Sequence, residues 1–245
     1  MEEQRDLNGQ AALADEEQKM KWWQVFWGMI RRPGQTYRET RGRAGLLIPV
    51  LLIIGGTIFV TVTVGLTQQE QIAAELQREM AGVPDMTSEQ LENLPVVATS
   101  PAALAVGAVG AVVGALLTWV IYSGILHLAV RALGGRGVFR QAFEIAGWAW
   151  VPLFIGSLTR GTYALFTGKL PVAQGTGLVH AFVTNTNLFN VWNMVLLVVG
   201  FSAVYGVTKK RAAVPVVGMW LLTVLLTYAT GFLGQGFAPG TPGGR

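Results

Sequence analysis

Two ionisable residues fall where the chain is otherwise apolar. His127 stands in SGILHLAV, four residues before Arg131, and Glu144 stands in RQAFEIAGWAW, four residues after Arg140. No Asp or Glu follows Glu144 in the remainder of the chain. A carboxylate near an imidazole and two guanidinium groups can relay a proton or hold a ligand, and ionisable groups inside a membrane are functional candidates because of their cost. At about 1.5 Å per helical residue, each lies roughly 6 Å past a basic residue. The short connection between them makes their helices antiparallel neighbours. A second reading is structural: Arg140, Arg131 or His127 neutralises Glu144, and the group clamps two helix ends. A helix beginning near Ala142 also puts Glu144 in its first turn, where the helix dipole favours a negative charge. The clamp is the preferred reading. A second polar group comprises Arg160, Asn187, Asn190 and Asn193. It makes either a polar vestibule or hydrogen bonds between helices, and bonding between helices is preferred.

Other chemistry is missing from the sequence. There is no HExxH, no P-loop and no GxSxG. The chain has no cysteine, so thiol nucleophiles and disulfides are excluded, and its two histidines make a poor transition-metal site. The apolar runs contain no Asp, which excludes a paired-aspartate intramembrane protease. Six carboxylates between 68 and 100 lack the dense spacing of a calcium loop and read as a solvated face. No catalytic activity, metal or cofactor is expected.

The elements that must position these residues are membrane helices. Only 13% of residues are charged and 51% are hydrophobic, against about 25% charged in a soluble domain. Five apolar runs approach or exceed the ~20 residues that cross a bilayer: about 45–67, 102–130, 142–159, 186–207 and 213–233. The third is shortest and Pro152 interrupts it. The expected fold is an all-α polytopic bundle of five transmembrane helices with an N-terminal interfacial helix. Short-loop Lys and Arg concentrate on one side, fourteen of the eighteen in the chain. This places the N-terminus in the cytoplasm and the C-terminus outside, and the expected location is the cell (inner) membrane. The split of basic residues among short loops argues against a nucleic-acid partner.

Residues 1–20 read as a disordered acidic tail, 21–233 as the membrane domain, and 234–245 as a disordered Gly/Pro-rich tail. In KWWQVFWGMIRR, Trp23, Phe26, Trp27 and Ile30 share one helical face, Trp22 adds a third indole, and Lys21, Arg31 and Arg32 flank it. Such a helix docks in the headgroup layer, with anionic lipids as partners, or packs on the ends of the spans; the two are compatible. Short helices are expected around 72–80 and from Thr87 in the outside loop. Gly107, Gly110 and Gly114 form a small-residue stripe, read as packing within the chain first and homo-oligomerisation second.

The order of these pieces carries a resemblance. An amphipathic segment leads into RRPGQTYRE (31–39); GGRGVFRQAFEIAGWAWVP joins the second and third spans; FNVWNMVLLVVGFSAVYGV is followed by KKR. This pattern resembles the Yip family, named for interaction with Ypt/Rab GTPases, in a bacterial-type form. The resemblance implies a five-span protein that organises membrane or recruits partners, and it brings no catalytic residue. Eukaryotic relatives are linked to Rab GTPases through a cytoplasmic N-terminal region, which is short here. A small transporter or lipid-handling protein, using polar groups between spans, is the alternative. A membrane-protein partner or a second copy of the chain remains open.

Overall fold

The computed structural model describes residues 20–40, 44–67, 100–169 and 177–236, and those residues are all-helical. The acidic segment 1–19, the helices expected near 72–80 and Thr87, and residues 237–245 lie outside the described residues. In chain order the helices are α1 (Trp22–Arg31), α2 (Pro33–Thr40), α3 (Leu47–Thr67), α4 (Pro101–Ala132), α5 (Phe139–Trp148), α6 (Val151–Thr167), α7 (Leu178–Asn185), α8 (Leu188–Tyr205) and α9 (Lys209–Gly236). Five segments are long and apolar enough to cross a bilayer: α3, α4, α5 with α6, α8, and Lys209–Gly231 of α9.

Local chemistry sets the boundaries. Ser100 caps α4 by accepting from the Ala103 amide at 3.2 Å, with Pro101 following it where a missing N–H costs nothing. Asn187 caps α8 by accepting from the amides of Phe189 and Asn190. Pro33 opens α2, and the chain folds into a tight α1–α2 hairpin in which any Cβ at Gly28 would collide with Thr36. The third span is broken at Ala149–Trp150. Pro152 has no amide to give the Trp148 carbonyl and its ring crowds that carbonyl, so the helix restarts at Val151.

Helix α3 packs against α4 and α6, α5 against α4 and α8, and α8 against α2, α6 and α9. The core lies toward the end of the bundle that carries Arg131, Arg136 and Arg140, the basic end. There Val25 and Met29 from α1, Tyr37 from α2, Leu126 and Val130 from α4, Ile145 from α5, and Phe201 and Tyr205 from α8 are buried together. The hairpin α1–α2 is therefore part of the core. Tyr37 is seated over Gly200 and donates its hydroxyl to the Ile145 carbonyl at 3.2 Å. Burial pushes the Tyr37 phenol up from its ordinary value, keeping it a neutral donor.

Close backbone approach falls on other glycines than expected. Gly156 lies against Phe189, Gly161 against Phe59 and Gly147 against Pro49 and Trp119. Gly107, Gly110 and Gly114 are exposed, with nothing among the described residues within 4 Å of where a Cβ would stand. Their expected packing within the chain is not seen among the described residues. A helix apolar on every side gives no amphipathic signal of which face is inward, and α4 turns this stripe out.

Candidate functional site

Glu144 is buried at 2% exposure, and Arg140 Nε stands 3.2 Å from its Oε1 while the Arg140 side chain is 71% exposed. The Arg140 side chain and the Ala44 backbone amide are the groups that face the carboxylate, and among the described residues neither contact has good hydrogen-bond geometry. The contact with Arg140 is as expected, but it lies within one helix turn of α5, so it does not clamp two helices. Arg131 and His127 make no ion pair with Glu144 among the described residues. Helix α5 begins at Phe139, so Glu144 stands in its second turn and the expected dipole stabilisation is lost. The span starts earlier than Ala142 because FRQ continues the helix on the polar side.

His127 has a different partner. Its Nδ1 lies 2.6 Å from the Tyr205 hydroxyl, which itself donates to the Val138 carbonyl at 3.1 Å. The phenol has one hydrogen, directed at Val138, so His127 Nδ1 carries the hydrogen in its own bond. Tyr205 also accepts from the Arg136 amide through its carbonyl, at 3.1 Å. A Cβ at Gly135 or Gly137 would strike the Tyr205 ring. One side chain thus ties the turn 133–138 to α4 and α8. Tyr205 was not legible as a site residue; its only signal is a phenol at a span's end before Gly206, which adopts φ 70°.

The amides at the other end are drawn together, without Arg160. Asn193 Nδ2 donates to the Ala149 carbonyl at 2.6 Å, satisfying a group freed by the helix break. Within a bilayer no water is at hand for that role. Asn190 Nδ2 donates to the Asn185 carbonyl at 3.2 Å, which also accepts from Trp220 Nε1 at 3.0 Å. Asn187 is a helix cap and donates to the Thr184 carbonyl. Arg160 is exposed, because α6 continues through TYALF to Thr167, two turns beyond the expected end. Beside the break lies a cavity of about 200 Å³, lined by Asn185, Asn190 and Asn193 together with Trp119, Trp150, Trp220 and Tyr122. Asn185, Tyr122 and these indoles were not singled out from the sequence.

On α1, Val25 and Met29 are fully buried, whereas Trp22, Trp23 and Trp27 are 58%, 47% and 51% exposed. Phe26 and Ile30 are half-buried between them. The Arg31 guanidinium lies 5.4 Å from the Trp27 ring centroid, a cation–π distance.

The family description "Yip1 domain" matches residues 27–230. The chain is 22% identical over 219 residues to a protein of Bacillus subtilis (strain 168) described as membrane protein YknW, covering 85% of this chain and 90% of that one. No solved structure matches.

Proposed function

The chain belongs to the Yip1 domain family of membrane proteins, and on that premise we propose that it is a non-enzymatic organiser of the bilayer, working through the α1–α2 hairpin. The observation that carries this reading is the division of α1 into two faces. Val25 and Met29 anchor it in the core, and Trp22, Trp23 and Trp27 stand outward. A helix fixed by one face cannot retreat from what its other face meets. Indoles flanked by Lys21, Arg31 and Arg32 suit the headgroup layer, and the cations favour anionic lipids. In the proposed orientation the hairpin lies on the cytoplasmic side and wedges that leaflet. The same face is where a partner protein would be recruited.

The transporter alternative is less favoured because the polar groups form two separate clusters. Neither Glu144 nor His127 lines the cavity at the helix break. The test is reconstitution of the full chain into vesicles containing phosphatidylglycerol, imaged by electron cryomicroscopy. The parent chain should give smaller or more tubular vesicles than a Trp23→Ala, Trp27→Ala variant incorporated at equal density. Identical vesicle shapes would remove the proposal.

A further inference from the structure

We propose that the cavity at the break between α5 and α6 binds the head of an uncharged, hydroxyl-bearing lipid of the diacylglycerol or long-chain alcohol class, with its tail in the groove between α8 and α9. The depth fits such a molecule. Ala149, at the deep side of the cavity, is ten residues into the third span, about 15 Å at 1.5 Å per residue and near the middle of a ~30 Å hydrocarbon layer, while Asn190 in the first turn of α8 lies toward the end opposite the basic one. A charged head is disfavoured there, and no charged residue lines the cavity among the described residues.

The hydrogen-bonding groups specify a donor. Asn190 and Asn193 each use Nδ2 on a backbone carbonyl, their Oδ1 atoms accept nothing among the described residues, and both residues line the cavity. Both offer acceptors, so the ligand supplies O–H. The Tyr122 hydroxyl, also on the lining, has no partner among the described residues and can give or take a hydrogen bond. Indole walls then enclose the carbon skeleton that carries the hydroxyl.

The route out is apolar. Met194 and Trp220 line both this cavity and a groove of about 520 Å³ that is otherwise walled chiefly by valines from α8 and α9. Exposed Thr118 and Thr223 mark the cavity's rim between α4 and α9. A head in the cavity and a tail along the groove use both spaces at once. Lys209 lines the groove at the basic end, which makes an anionic phospholipid the competing occupant. Helix α1 lines neither space, so this site stands apart from the membrane-organising role.

The experiment uses the purified full chain in detergent, with thermal unfolding and tryptophan emission recorded against added dioleoylglycerol, dioleoylphosphatidylglycerol or glycerol. Dioleoylglycerol should raise the unfolding temperature saturably, and the other two should not at equal concentration. Tyr122→Phe removes a hydroxyl with no protein partner and so should keep the fold while weakening dioleoylglycerol binding about fivefold. Asn190→Leu should weaken it at least as much. Equal stabilisation by the phospholipid would assign the groove to an anionic lipid. A matching response to glycerol would assign the cavity to free polyols. Either result, or unchanged dioleoylglycerol affinity in Tyr122→Phe, overturns the proposal.

Discussion

The Arg140–Glu144 pair is unequal, and that inequality makes a sharp prediction. Glu144 is 2% exposed and Arg140 is 71% exposed, with 3.2 Å between Oε1 and Nε. Removing the arginine leaves a buried carboxylate with no counter-charge and only the Ala44 backbone amide facing it. Such a loss costs about 3–5 kcal/mol in a deep site. Here the guanidinium is largely in solvent and its attraction is screened, so Arg140→Gln should cost about 2 kcal/mol. For a chain of this size that is a fall of roughly 4–8 °C. Removing the carboxylate leaves only an exposed arginine, which water and headgroups serve. Glu144→Gln should therefore lie within about 1 kcal/mol of the parent, and the volume-matched Glu144→Met at or above it. The double variant Arg140→Gln, Glu144→Gln should regain most of what Arg140→Gln loses. Apparent unfolding temperatures of the purified full chain in one detergent, at neutral pH, read all four. If Glu144→Gln and Glu144→Met fall as far as Arg140→Gln, the fold depends on the ionised carboxylate and the reasoning is refuted.

Two further outcomes follow from the same geometry. Gly161→Ala drives a Cβ into the Phe59 ring, an overpacking cost of about 1–3 kcal/mol, whereas Gly110→Ala meets open space and should leave stability unchanged or slightly raised; similar losses at both sites, read by thermal unfolding, would contradict the packing. The proposed orientation puts reporter fusions at Gln71, Gly175 and Gly240 outside and at Gly135 and Lys210 inside, and two successive fusions on the same side would remove a span.

The five spans were legible because a run of about 20 apolar residues has few other uses. The break was legible too, because Pro152 removes an amide wherever it stands. Span ends were less so: TYALF after Arg160 and FRQ before Ala142 continue their helices, and neither carries a stop signal. Of the polar candidates, only the Arg140–Glu144 contact could be read locally, since it is set by helical spacing. Asn193 takes its meaning from Ala149, 44 positions away, and His127 from Tyr205, 78 positions away. Nothing in either local sequence names those partners. For α1 the sequence pattern picked out the outward aromatic face. Its anchor, Val25 and Met29, became visible only against the bundle.

In the proposed function the outward face of α1 sits in lipid headgroups while its other face is held by the bundle. The natural absence of cysteine allows one nitroxide to be placed at a time. In full chain reconstituted into phosphatidylglycerol-containing vesicles, collision rates with oxygen and with a water-soluble nickel complex report depth. A label at Trp23→Cys should favour oxygen and show slow, restricted motion. A label at Gln35→Cys, on the exposed side of α2, should favour the nickel complex. Equal nickel accessibility at the two positions would place the tryptophan face in water and contradict the account.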